Sequence, residues 1–381
     1  MFDANAQRQL NTQLRGMLAP GEEVRWSAPP DAAAYRATHA KSPWITVPLM
    51  VLGFGSPIAA FMYGARSDPF VWGMSLTWAV IGVVGVMLFL SPRAAEKRAQ
   101  RMLYAITGRR ALILMVNAKP GALALEGLES ITVIERPDGS GDLILRHDDE
   151  EEKVAGPRLQ RDRFAGLPNV REVAALLRRT AGGEATPAPV APDALRVPPG
   201  ASAQARALST RLDQDERIVW TGTPSRGYKR RDVSLQRTYI AVWTAIALGM
   251  SAGAYAESGK FGVIQWALLP FWVAPLLALS RTAHAGKAYL RTIYAITDRR
   301  AIVAEFDGVT TIRTFFPKRL HKTQRESGKN GLESLVMRTD WQSGSDNNYY
   351  ERAGFLDMED ADDAVNAYRR LRDGGTPEAR A

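Results

Sequence analysis

Ile293-Tyr294-Ala295-Ile296-Thr297-Asp298-Arg299-Arg300-Ala301-Ile302 repeats, with few changes, the stretch Leu103-Tyr104-Ala105-Ile106-Thr107-Gly108-Arg109-Arg110-Ala111-Leu112. Each is two runs of β-favouring residues around a tight polar turn, which predicts paired strands over Met102–Thr107 and Ala111–Val116, and over Thr292–Thr297 and Ala301–Phe306. The repetition extends outward. Gly21-Glu22-Glu23-Val24-Arg25-Trp26 returns as Asp215-Glu216-Arg217-Ile218-Val219-Trp220, and Phe164 through Arg179 returns as Phe355 through Arg370. These offsets agree within a few residues, so the chain reads as one unit written twice. Gly127-Leu128-Glu129-Ser130 and Gly331-Leu332-Glu333-Ser334 are identical but fall out of step with the other matches, and are read as coincidence.

The 381 residues average to a soluble composition, 46% hydrophobic and 23% charged, with a net charge of +9. The mean hydropathy, −0.19, hides a segregation. Four stretches carry no charge: Ser42–Ala65, Pro69–Pro92, Thr238–Ala256 and Phe261–Ser280. Crossing a hydrocarbon core of roughly 30 Å takes about 20 apolar residues, so the stretches predict two transmembrane helical hairpins. The second stretch is the clearest; the fourth contains Gln265, Pro270 and Pro275. Tiny neutral loops join each pair, and the outer flanks are basic. Arg93, Lys97, Arg98 and Arg101 follow the first hairpin, Lys229, Arg230 and Arg231 precede the second, and Arg281 and Lys287 follow it. Lys/Arg excess marks cytoplasmic loops, which predicts a multi-pass membrane protein with both termini cytoplasmic, and the Arg- and Ala-rich composition suggests that the membrane is a bacterial inner (plasma) membrane. The flanks also make these nine residues candidate anionic-lipid contacts. No cleavable signal is expected before the first span.

The predicted organisation is an N-terminal helix and first strand (1–41), a hairpin (42–92) and a first β domain (93–180). A Pro/Ala-rich linker (181–205) leads to the opening segment of the second copy (206–237), its hairpin (238–280) and β domain (281–374), and a disordered tail (375–381). Within each copy, strands precede one amphipathic helix. Ile131–Glu135 and Asp142–His147 bracket the turn Pro137-Asp138-Gly139-Ser140-Gly141, and Leu332–Arg338 follows a similar turn. Asn169 with Glu172, and Asp360 with Asp363, are the expected N-caps of the closing helices.

A Glu-x-x-x-Trp strand, a membrane hairpin, Tyr-Ala-Ile-Thr-x-Arg-Arg-Ala, further strands and a closing helix together resemble the bacterial pleckstrin-homology-like membrane proteins. The resemblance covers both copies. It implies an α+β membrane protein: each hairpin is inserted in a small antiparallel β-barrel or sandwich with a C-terminal capping helix. It carries no catalytic residues. The repeat-motif positions are Trp26, Tyr104, Arg109 and Arg110 in one copy and Trp220, Tyr294, Arg299 and Arg300 in the other.

The Arg-Arg pairs could hold lipid phosphates, for which guanidinium forks are suited, or serve as solvated turns with one arginine paired to a carboxylate inside the domain. Zero cysteines exclude thiol nucleophiles, disulfides and Cys-ligated metals, and four scattered histidines suggest no local metal site. The run Asp148–Glu152 lacks the spacing of a calcium loop. No phosphate-loop, HExxH or GxSxG pattern occurs. No ionisable group lies within a span, which weighs against a proton-coupled pump. The reading is therefore a non-enzymatic membrane protein, without cofactor or metal, presenting two cytoplasmic domains to lipid headgroups or a protein partner. Nucleic acid is not an expected partner, and the oligomeric state is open. The alternative is a small transporter or channel component with regulatory cytoplasmic domains.

Overall fold

Leu10 and Leu14 lie one turn apart on helix α1 (Ala4–Met17) and are buried against Leu103, Ala105, Leu112 and Leu114. Each such burial is worth about 1.5–3 kcal/mol, which seats α1 on the first sheet. That sheet is an antiparallel meander of β1 (Val24–Ala28), β2 (Met102–Thr107), β3 (Arg110–Met115) and β4 (Gly121–Ala124), in the order β1-β2-β3-β4. Between β1 and β2 lie α2 (Ala32–His39) and the long α3 (Pro69–Ala99). The Asp31 carboxylate caps α2, accepting the Ala34 N–H at 2.7 Å. The first half closes with β5 (Leu128–Glu135), β6 (Gly141–His147), β7 (Arg163–Leu167) and α4 (Val170–Gly182). The β5–β6 turn works as the sequence predicts: Gly139 takes φ +81°, and Asp138 accepts the Ser140 N–H at 3.0 Å.

The second half follows the same order: α5 (Ala203–Ser209), β8 (Ile218–Gly222), β9 (Thr292–Thr297), β10 (Ala301–Asp307), β11 (Val309–Phe315), β12 (Gln324–Ser327), β13 (Glu333–Ser343), β14 (Asn348–Met358) and α6 (Asp362–Arg372). The computed structural model describes residues 4–39, 69–147, 162–182, 202–213, 215–225, 288–320, 323–328, 331–343, 348–359 and 361–374, with separate helical positions in 46–58 and 241–256. The chain divides into two compact units: one of 1–38, 97–228 and 288–381, the other of 39–96 and 229–287.

Two self-contained β-barrels were the expectation; the strands are partitioned differently. Among the described residues three sheets form, and one of them draws on both halves in the order β7-β6-β5-β11-β10-β9-β8. Strand β5 of the first half pairs antiparallel with β11 of the second, from Ser130↔Phe315 to Glu135↔Thr310. The third sheet is β12-β13-β14. Side chains brace the junction. Arg178 pairs with Asp213 at 2.8 Å, Glu135 accepts from both Arg171 and Arg211, and Arg338 reaches Glu129 at 2.6 Å. A strand edge offers the same N–H and C=O groups whatever its side chains, so this pairing has no signature in the repeat.

The expectation of two transmembrane hairpins is also corrected. Among the described residues, one helix is long and apolar enough to cross a membrane, at Ser75–Ala99 within α3. Lack of charge is a compositional test, and a continuous helix demands more. Most of Thr238–Ala256 and all of Phe261–Ser280 lie outside the described residues, as do the run Asp148–Glu152, most of the linker and the tail. The described helical position Gly53 approaches α3 closely: a Cβ there would stand 2.2 Å from the Gly82 Cα.

α3 does not stop at Pro92, where the first hairpin was expected to end. Ser91 donates its hydroxyl to the Leu88 carbonyl at 2.8 Å, the acceptor that the missing Pro92 N–H would have used. The basic flank is thereby carried on the last turns of the helix. At the other end of the chain, α6 begins at Asp362 with Ala361 at the cap position and no side-chain cap bond, while Asp360 lies outside the described residues. Asp362 and Asp363 in the first turn and Arg369, Arg370 and Arg372 in the last still complement the helix dipole.

Candidate functional site

Both Arg-Arg turns are built on the same clamp. Glu22 precedes β1, Thr107 ends β2 and Arg110 opens β3, so the β1-β2-β3 register brings three distant residues together. The Thr107 hydroxyl donates to Glu22 Oε1 at 2.7 Å, Arg110 Nε to the same oxygen at 2.9 Å, and Arg110 Nη2 to Oε2 at 2.6 Å. In the second half, Thr297 donates to Glu216 Oε1 at 2.8 Å, and Arg300 forks onto Glu216 at 2.6 and 2.5 Å. Each threonine oxygen also accepts the N–H groups of the next two arginines, which closes the turn.

The environments of the two clamps differ. Arg110 keeps 28% of its side chain exposed, whereas Arg300 keeps 4% and Glu216 none. The Arg110 hydrogen bonds pull the Glu22 carboxyl down to about 2. At Glu216, burial works to raise the carboxyl, but the Arg300 charge and hydrogen bonds outweigh it, and the group stays below the ordinary carboxylate value. Arg110 and Arg300 are therefore structural cations, fully engaged inside the fold. The partners of the pair diverge: Arg299 is held by Asp215 at 2.5 Å, while Arg109 is exposed with no acidic partner among the described residues.

The four aromatic motif positions form two stacks, each completed by a phenylalanine. Tyr104 stacks on Phe164 with centroids 4.6 Å apart, and Trp26 lies beyond at 6.4 Å; Tyr294 and Trp220 flank Phe355 at 5.0 and 5.5 Å. The tyrosine hydroxyls donate to the Ala165 and Leu356 carbonyls at 3.1 and 2.8 Å. These rings are core, linking the first strands to the last, and burial raises the Tyr104 hydroxyl far above its usual value. Phe164 and Phe355 stand at matching places in the repeat, as do Glu22 and Glu216. The signal for the missing members was present; the contact that gives them a role was not.

Of the nine candidate lipid contacts, Arg93, Lys97, Arg98 and Arg101 are all exposed, on the last turns of α3 and the two residues before β2. Arg93 also folds over the Phe89 ring at 5.6 Å. Lys229, Arg230, Arg231, Arg281 and Lys287 lie outside the described residues. A shallow groove of about 560 Å³ is lined by Gln9, Thr12, Gln13, Asn117 and Ala118, none of them titratable. A cavity of about 20 Å³ sits among the junction arginines. No group of three or more metal-ligating side chains occurs among the described residues. The chain matches no protein-family model, no curated protein and no solved structure. The resemblance to pleckstrin-homology-like proteins therefore rests on the motif and the order of elements.

Proposed function

We propose that this protein is a non-enzymatic binding module held at a bacterial inner membrane through the apolar surface of α3, with its β unit on the cytoplasmic side. One observation carries the reading. Leu76, Val80 and Met87 are 70%, 58% and 66% exposed, Val83, Val84, Phe89 and Leu90 are exposed beside them, and four exposed basic residues follow at once. An apolar surface of that extent is unfavourable in water and favourable in lipid. The basic residues complete the polarity expected at a cytoplasmic boundary, where each is worth about 1 kcal/mol of attraction to anionic lipid. The chain passes from α3 to β2 through Gln100 and Arg101 alone. The exposed faces of the β unit would then meet headgroups or a protein partner.

The test is alkaline carbonate extraction of membranes from expressing cells. The protein is expected to stay with the membrane, and recovery in the soluble fraction would refute anchoring. The chain lacks cysteine, so a single cysteine at the exposed Ser327 reports sidedness. Labelling by an impermeant maleimide is expected only after the cells are opened, and labelling of intact cells would reverse the orientation.

A further inference from the structure

The two Arg-Arg turns share a backbone plan but differ in charge, and the difference is confined to a few aligned positions. In the second half, Asp298 sits in the turn; its carboxylate accepts the Arg217 N–H at 3.2 Å, and Asp215 neutralises Arg299. The first half has Gly108 in place of Asp298 and Gly21 in place of Asp215, while Arg25 replaces Val219. The Arg25 guanidinium lies over the vacant position: a Cβ at Gly108 would be 3.7 Å from its Nε and Nη2. Arg25 donates to Thr180 Oγ1 at 3.3 Å, and neither it nor Arg109 has an acidic partner among the described residues. Both are exposed, as is Glu23, two residues before Arg25. The bond from Asp298 N to the Arg217 carbonyl also has no counterpart at Gly108 among the described residues.

We propose that the exposed turn at Gly108, with the Arg25 guanidinium against it and Arg109 next in the chain, binds a phosphate group. The second half supplies the template. There an internal carboxylate takes the backbone N–H before the strand and a second one takes the arginine; in the first half both anions are missing and two guanidinium forks remain. A phosphate oxygen at the position equivalent to the Asp298 carboxylate would accept the Glu23 N–H and meet the Arg25 fork, a guanidinium geometry suited to phosphate, with Arg109 adding a second exposed charge. The site goes beyond membrane anchoring, because it needs no bilayer to form. Free phosphate and a lipid phosphomonoester share this chemistry.

The test uses the full chain in neutral detergent, titrated by calorimetry with inorganic phosphate and with dihexanoyl phosphatidate, dihexanoyl phosphatidylcholine being the control. Binding of inorganic phosphate and phosphatidate assigns a general phosphate site; binding of phosphatidate alone assigns a headgroup site. Gly108→Asp is the decisive variant. It reproduces the turn that the second half already makes, Gly108 has no positive φ, and its carboxylate would occupy the site and pair with Arg25. It is expected to weaken binding at least about tenfold with unchanged thermal unfolding, as is Arg25→Gln with Arg109→Gln. Glu23→Gln is expected to tighten binding by removing the repelling carboxylate. Wild-type protein that binds neither phosphate nor phosphatidate, or a Gly108→Asp protein that binds as wild type, overturns the site. Either result leaves carbonate extraction, and with it the anchoring, unaffected.

Discussion

Glutamine substitution at Glu22 and at Glu216 makes the same chemical change at equivalent places in the repeat, and the structure predicts unequal costs. Glu216→Gln leaves Arg300 with 4% of its side chain exposed and without its forked carboxylate, the Thr314 hydroxyl at 3.2 Å, Asp213 at 3.8 Å and the charge of Asp298 remaining around it. Stranding a buried charge in this way costs about 3–5 kcal/mol. Glu22→Gln leaves Arg110 with 28% of its side chain open to water and still bonded to the Met17 carbonyl at 2.5 Å. Lowering the Glu22 carboxyl from 4.5 to about 2 bounds its charged-state contribution near 3 kcal/mol, and solvent on the Arg110 side reduces that to about 1–2 kcal/mol. For a unit of this size about 2–4 °C accompanies each kcal/mol, so Glu216→Gln should lower the unfolding temperature by about 10 °C and Glu22→Gln by about 4 °C. The assay is intrinsic-fluorescence melting of the purified full chain at neutral pH. The Glu22 carboxyl is depressed in the folded state, so its contribution is fully present above pH 4.5 and is lost as pH falls toward about 2. The gap between wild type and Glu22→Gln should therefore close across that window. Equal losses at the two sites, or a larger loss at Glu22, would refute the reasoning from burial.

Gly166 has φ +70° and a Cβ there would stand 2.6 Å from the Tyr35 N, so Gly166→Ala should cost about 2–3 kcal/mol. Gly139→Ala, at φ +81° in open space, should cost about 1 kcal/mol; melting curves of the two variants give the comparison. Gly53→Leu should separate its helical segment from α3 at Gly82 and lower the yield of monodisperse protein in detergent. Gly55→Leu, with nothing within 4 Å, should not.

Much of the local structure was legible because it depends on neighbours in the chain. Alternating runs around Gly108 and Asp298 became β2–β3 and β9–β10, and Pro137 through Gly141 made the β5–β6 turn. The matched Glu, Tyr, Trp and Arg positions became clamps and stacks, although the threonine and phenylalanine members needed the fold to be seen. The hairpin expectation was drawn from four uncharged stretches, and among the described residues one of them forms a helix long and apolar enough to cross a membrane. The arginine pairs were ambiguous because sequence places two cations at a turn, but only packing decides which one meets a carboxylate.

The sequence alone therefore determined the matched stretches of the two halves, the strand pairs around their Arg-Arg turns, the closing helices, and an apolar helix ending in basic residues. These follow from periodicity, turn chemistry and charge, all of which act over a few residues. Only the tertiary structure decided that β5 and β11 join the halves into one seven-stranded sheet, since every strand edge offers the same hydrogen-bonding groups. It also decided that Arg110, Arg299 and Arg300 are held internally while Arg109 is not. That distinction depends on residues 84 or more positions away in sequence, brought within 3 Å by the β1–β2 and β8–β9 pairings.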